Sequence, residues 1–226
     1  MKRSTACWGA TGVALFLALG PCEGEAVERW EVEARLGGAW NAPLPTTIRQ
    51  EGHEDLDLTA RWSTHALEQP LYYGGRIAAW SGPAGWALDL VHHKLHLDDP
   101  PPEVQSLAIS HGYNLLTIQR LLARGGWRYG AGLGVVVAHP ESEVRGLRFD
   151  EHRGMLGSGY YLGGPTTEAH MGGVRSLWKG LSGTLEARLT VSFASVPVAE
   201  GSLRVPNLAL HATAGLSWGS ADHRAR

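Results

Sequence analysis

Cysteine is nearly missing from this chain of 226 residues: there are two, Cys7 and Cys22, and both lie within the first 26 positions. A mature chain starting after them has neither a disulfide scaffold nor a thiolate metal site. Long hydrophobic runs are missing as well. The apolar stretch Ala6 to Leu19 is shorter than the roughly 20 residues a membrane-spanning helix needs, and no later segment is longer. If the protein enters a membrane, it must do so as strands. Basic runs are absent and the formal net charge is −2, which gives no electrostatic reason to expect nucleic acid as a partner.

The N-terminus reads as a secretory signal. Lys2 and Arg3 form the positive start, the apolar stretch follows, and Gly24-Glu25-Ala26 offers small residues for cleavage after Ala26. The expected organisation is a signal peptide at 1–26 and one domain at 27–226. Export and strands together predict the outer membrane of a Gram-negative bacterium.

Residues 28–40 decide the fold class. Trp30, Val32, Ala34 and Leu36 alternate with Arg29, Glu31, Glu33 and Arg35. A period of two means a strand with one apolar and one charged face. In a transmembrane barrel the apolar face meets lipid and the charged face the lumen. The pattern predicts strands at about 28–40, 71–80, 86–95, 107–121, 127–138, 166–177, 184–195 and 207–218. Short links at 81–85, 122–126 and 178–183 alternate with longer ones at 41–70, 96–106, 139–165 and 196–206. The fold expected is all-β: an eight-stranded antiparallel up-and-down transmembrane β-barrel, monomeric, with outer-membrane lipid, lipopolysaccharide and the barrel-assembly machinery as partners.

Aromatic residues at strand ends (Trp30, Trp40, Trp80, Trp86, Trp127, Tyr129, Trp178 and Trp218) suggest girdles at the two bilayer boundaries. On the fifth predicted strand Gly130, Gly132 and Gly134 share the lumen face with Arg128 and leave room for long side chains opposite. Glu31, Glu33, Arg35, Arg76, Asp89, Arg128, Arg175, Glu186 and Arg188 are expected to point inward, where burial obliges them to pair. An eight-stranded interior is filled by such side chains and is no open pore.

That leaves the outer mouth as a place for chemistry. The run His92-His93-Lys94-Leu95-His96 ends the third predicted strand, with His92 and His96 on one face. With Asp89, His111, Asn114 and His139 it makes a cluster at the outer ends of consecutive strands, and neutral imidazoles bind metals. His92, His96 and His111 are the expected metal ligands, and Asp89, His92, His111 and Asn114 the expected catalytic set. Ser110 and His111 are neighbours on a strand, so they should face opposite ways and not form a Ser–His pair.

Several segments resemble the small outer-membrane barrels of the lipid A oxidase-like family: Pro70-Leu71-Tyr72-Tyr73-Gly74, Leu88-Asp89-Leu90-Val91-His92-His93-Lys94, Ser110-His111-Gly112-Tyr113-Asn114-Leu115-Leu116-Thr117, Tyr129-Gly130-Ala131-Gly132-Leu133-Gly134, Gly163-Gly164-Pro165 and Ala214-Gly215-Leu216-Ser217. The resemblance implies oxidation of the proximal glucosamine of lipid A to an aminogluconate unit, using oxygen and a divalent metal. The competing classes are a non-enzymatic barrel of the OmpA, OmpX or OmpW type and a soluble lipocalin-like binder.

Overall fold

The computed structural model describes residues 27–149 and 154–220. The signal-peptide expectation for 1–26 lies outside them. Twelve strands form one sheet, each antiparallel to its partners: β1 (Arg29–Asn41), β2 (Leu44–Gln50), β3 (Leu56–Ser63), β4 (Tyr73–Ser81), β5 (Ala84–Asp98), β6 (Val104–Arg124), β7 (Trp127–Ala138), β8 (Glu141–Val144), β9 (Leu147–Arg148), β10 (Tyr161–Trp178), β11 (Leu181–Val198) and β12 (Gly201–Gly219). Among the described residues the sole helical piece is a 3-10 turn at Met155–Gly157.

Pairing runs β1–β4–β5–β6–β7–β10–β11–β12 and back to β1. This cycle has no free edge, which removes the hazard of an unpaired strand. β2, β3, β8 and β9 lie off it: β2 pairs with β12 and β3, β3 with β5, and β8 with β6 and β9. The sheet thus has twelve strands where eight were expected. The four off the cycle arise within 41–70 and 139–165, expected as longer links. The alternation of Leu56, Leu58, Ala60 and Trp62, which allows the second predicted strand to begin earlier across a bulge at Pro70, belongs instead to a separate strand, β3. The expected long link at 196–206 is also corrected: β11 and β12 run on to a two-residue hairpin, with Val198 opposite Gly201.

The register fixes the tilt. Following partners once round the cycle from Trp40 leads through Leu210, Leu189, Ala169, Ala131, Arg120, Trp86 and Ala79 to Trp30, a stagger of ten residues. Ten residues climb about 33 Å while the strand spacings round the cycle sum to about 38 Å. The strands therefore lean by about 40°, within the range of closed barrels.

Alternation then sorts side chains. On β1, Trp30, Val32, Leu36 and Trp40 are exposed, while Glu33 and Arg35 are buried. Ile77, Leu88, Ile118, Leu133, Leu185, Leu189 and Leu216 continue an exposed apolar belt. Trp30, Trp127, Trp178 and Trp218 ring its lower margin, near the short turns. Trp40, Tyr73, Leu162 and Phe193 lie toward the other margin. From Trp30 to Trp40 a strand at this tilt rises about 25 Å, the height of a lipid-facing band. A contiguous exposed apolar surface of this size marks contact with something other than water.

Beyond the upper margin the polarity reverses. There the cycle strands, with β2, β3 and β8, enclose an apolar core that includes Ile48, Trp62, Leu95, Ile109, Val144 and Leu203. The outward positions carry Arg49, Asp57, Arg61, Asp98 and Arg204.

Two inward and outward expectations are corrected. Trp80 belongs to no girdle: it shares a face with Arg76, is 2% exposed, and packs inside against Ala78, Ala87 and Leu121. The Arg29 guanidinium sits 5.0 Å from its ring, so this cluster closes the turn end of the lumen. Arg175 is exposed rather than inward, because on β10 it shares parity with exposed Met171 and not with buried Glu168 and His170.

Candidate functional site

The lumen is filled at belt level by an ion-pair network. Asp89 on β5 is its hub. Its carboxylate accepts from Arg35 Nη2 at 2.8 and 3.0 Å, Arg76 Nε at 2.8 Å, and Arg188 Nη1 and Nη2 at 2.7 and 3.2 Å. Arg76 also donates to Glu33 at 3.0 Å and Glu186 at 2.9 Å. Arg188 reaches Glu168 and Glu186, both at 2.8 Å, and Arg128 reaches Glu33 at 2.6 Å. Gln119 donates to Glu168 and to Thr117. The glycines of β7 make this possible. A Cβ at Gly130 would lie 2.2 Å from His170 Cε1, and one at Gly132 would lie 2.9 Å from Gln119 Cγ.

A neutral polar layer covers the network. Tyr72 Oη meets His211 Nδ1 at 2.7 Å, and His211 Nε2 meets Thr190 Oγ1 at 2.9 Å. His93 Nε2 lies 2.9 Å from Asn41 Oδ1, which also accepts from Asn207. Above this layer begins the apolar core. Polar plug, neutral layer and apolar core follow one another along the axis.

The expected catalytic and metal residues do not form one site. Asp89 points into the lumen with Val91 and Leu95 on its strand, whereas His92 is three positions along and lies on the other face of the wall. His92 Nδ1 meets Asn114 Oδ1 at 2.8 Å, across a registered pair of β5 and β6. Its ring stacks on Tyr73 at 4.7 Å, and its Nε2 is buried with no hydrogen-bond partner among the described residues. His96 stacks on His65 at 4.4 Å. Burial lowers its pKa below the usual imidazole value, and neighbouring His65 and Lys94 push the same way. Lys94 Nζ donates to the carbonyls of His65 and Glu68, which ties the 64–72 segment over this face of β5.

His111 belongs to a third group. Between the His93–Tyr113 and Leu95–Ile109 pairs, β6 carries three residues against one on β5. This bulge contains Ser110, His111 and Gly112, and Gly112 adopts φ +127°, a conformation other residues rarely hold. A Cβ there would also strike the Asn114 side chain. The bulge swings His111 toward the chain leaving β7. His111 Nδ1 is in hydrogen-bond contact with Glu141 Oε1, and Ser110 Oγ donates to the same oxygen at 2.5 Å. The His139 ring lies 5.2 Å from that of His111 and 5.0 Å from that of Tyr160. Ligand atoms of His111, His139 and Glu141 all fall within 4.8 Å of one another. Burial pushes the Glu141 carboxyl up, but hydrogen bonds from Ser110 and His111 and the charge of the two histidines outweigh it, so its pKa lies below the ordinary value.

The bulge also corrects the expectation that Ser110 and His111 cannot meet: Ser110 Oγ is 3.3 Å from His111 Nδ1. They still do not build a nucleophile, because Ser110 and Glu141 address the same imidazole nitrogen, whereas a triad uses both. Glu141 was missed from sequence. Its signal was His139-Pro140-Glu141, two ligand types two residues apart in extended chain. His152, another histidine of the sequence, lies outside the described residues.

No family model matches the chain, and no curated protein matches it. Solved structures do. The chain is similar to outer membrane protein AlkL, determined by solid-state NMR in DMPC lipid bilayers, with a TM-score of 0.50 and 13% identity over 100% of both chains. It also matches neisserial surface protein A, NspA, at a TM-score of 0.40 and 7% identity, over 87% of this chain and 99% of that one. The fold is that of the small outer-membrane β-barrels.

Proposed function

We propose that the protein is a monomeric outer-membrane barrel of a Gram-negative cell. The eight strands of its closed cycle cross the bilayer, and it works at its outer rim on the headgroup of an outer-leaflet lipid. The observation that carries this reading is the double closure of the lumen, by ion pairs at belt level and by an apolar core above. Among the described residues the lumen is filled by side chains, while His92, Asn114, His111, His139, Glu141 and Tyr160 gather near the upper margin of the belt. Within this reading the favoured chemistry is lipid A modification, oxidation of the proximal glucosamine by dioxygen, as the resemblance of the Asp89–Lys94 and Ser110–Thr117 segments implies. A passive, non-enzymatic barrel is the second reading. It is favoured by Asp89, whose carboxylate is wholly occupied by three guanidinium groups and so has no free oxygen for a substrate.

Mass spectrometry of lipid A from cells with and without the protein separates the two. An oxidised species that appears with the wild type and disappears in folded His111→Ala and His92→Ala variants supports the enzyme. If the lipid A is unchanged under every metal and oxygen condition, the passive barrel stands.

A further inference from the structure

We propose that His111, His139 and Glu141 form a binding site for one divalent transition-metal ion at the outer rim. The three side chains come from the β6 bulge, the residue after β7, and the first residue of β8. Their ligand atoms already lie within 4.8 Å of one another. Bonds of about 2.0–2.2 Å from nitrogen and oxygen to a shared ion require only small side-chain rotations to converge.

The backbone holds this arrangement. His139 N donates to the Gly112 carbonyl at 3.0 Å, which locks the end of β7 onto the bulge. Tyr160 Oη donates to the His111 carbonyl at 2.9 Å. Ser110 steadies the carboxylate oxygen that faces His111, the kind of outer partner that orients a metal ligand. An ordinary surface ion pair between His111 and Glu141 would need neither the third ligand nor the left-handed glycine that swings His111 out of its strand.

The donor set decides the class of ion. Two imidazole nitrogens and one carboxylate oxygen suit zinc, iron, nickel or copper. Calcium and magnesium prefer oxygen alone. Three protein ligands leave at least one coordination position open, and the His111 side chain is 56% exposed. Leu162 on the belt follows Tyr160 by two residues, so a phosphate or hydroxyl oxygen of a lipid headgroup, or a water, can fill the position. The inference rests on the rim reading only for that last occupant.

The test uses the protein refolded in detergent, stripped with a chelator and free of lipopolysaccharide, so its failure leaves the rim reading standing. Cobalt is added while its visible absorption is followed, and zinc is added by calorimetry. The wild type should bind one equivalent of each. His139→Ala and Glu141→Gln should each weaken binding at least about tenfold, while His53→Ala, in the β2–β3 turn, should leave it unchanged. Heat-modifiable migration on a gel checks that each variant is folded. The proposal is overturned if the wild type shows no saturable binding, if folded His139→Ala binds as the wild type does, or if His92→Ala abolishes binding while His139→Ala spares it.

Discussion

The lower and upper halves of this molecule share strands but have opposite polarity. At belt level β1, β4, β5, β6, β7, β10, β11 and β12 put apolar side chains outside and mostly polar ones inside, with charges from all but β6 and β12. Farther up, β5, β6, β11 and β12 put apolar side chains such as Leu95, Ile109, Val196 and Leu203 inside, and Asp98 and Arg204 stand outside. β11 shows both in one strand: Leu185 and Leu189 face outward and Glu186 and Arg188 inward, whereas Val196 and Val198 face inward higher up. The pleat does not change, so the same parity of residue carries a charge below and a methyl group above. On the outer-membrane reading, what changes is the medium on the outer face, and each half follows the rule for its own medium. Below, buried polar groups must find partners within the lumen. Above, the strands behave as a water-soluble sandwich with a dry interior.

The comparison predicts different costs for removing an inward residue. The largest is expected at Asp89. Asp89→Ala leaves Arg35, Arg76 and Arg188 short of a shared carboxylate, and breaking a buried ion pair costs about 3–5 kcal/mol. Folding titrations in detergent should show this as loss of the whole barrel. An equal stability for Asp89→Ala and wild type would mean the network is not a structural plug.

Next comes Leu95→Ala in the upper core, where the side chain is fully buried. A cavity of that kind costs about 2–5 kcal/mol, but the loss should stay local. Limited proteolysis should cut the upper half while the lower half keeps its heat-modifiable migration. If both halves melt together, they form one cooperative unit and the division is only one of polarity.

The smallest effect is a contrast between outer faces. Leu133→Arg, placed on the belt, should cost about 2–4 kcal/mol in a bilayer. Arg204→Ala, on the outward face of the upper half, should change stability by no more than about 0.5 kcal/mol. Folding measured in lipid vesicles checks both. If Leu133→Arg is tolerated as well as Arg204→Ala, the belt does not face lipid.

The lower half was largely legible in the sequence because one face of each strand is apolar and exposed and the other is polar and buried. Glu33, Arg35, Arg76, Arg128, Glu186 and Arg188 follow from period two alone. Trp80 was misread through its position at a strand end, although its parity with Arg76 already placed it inside. The upper half was less legible. His92, His93, Lys94 and Leu95 are all buried, because the 64–72 segment covers the outer face of β5 and erases the alternation. β2 and β8 are short and held by pairing with distant strands, a tertiary effect that local pattern does not carry. The rim cluster depends on a bulge, and a bulge shifts register without any change in composition.

The pairing of β1 with β12, Glu31–Asn41 against Ala209–Gly219, brings Ser220 to the start of β1, where its N–H donates to the Trp30 carbonyl at 3.1 Å. Position round the wall is thus defined by neighbours and not by serial order along the polypeptide. A circular permutant that joins residues 27 and 220 by a short linker and opens at Gly125-Gly126 keeps every strand pair of the cycle. Exposed tight turns are where such cuts are tolerated. The seam of this barrel is, topologically, just one more hairpin.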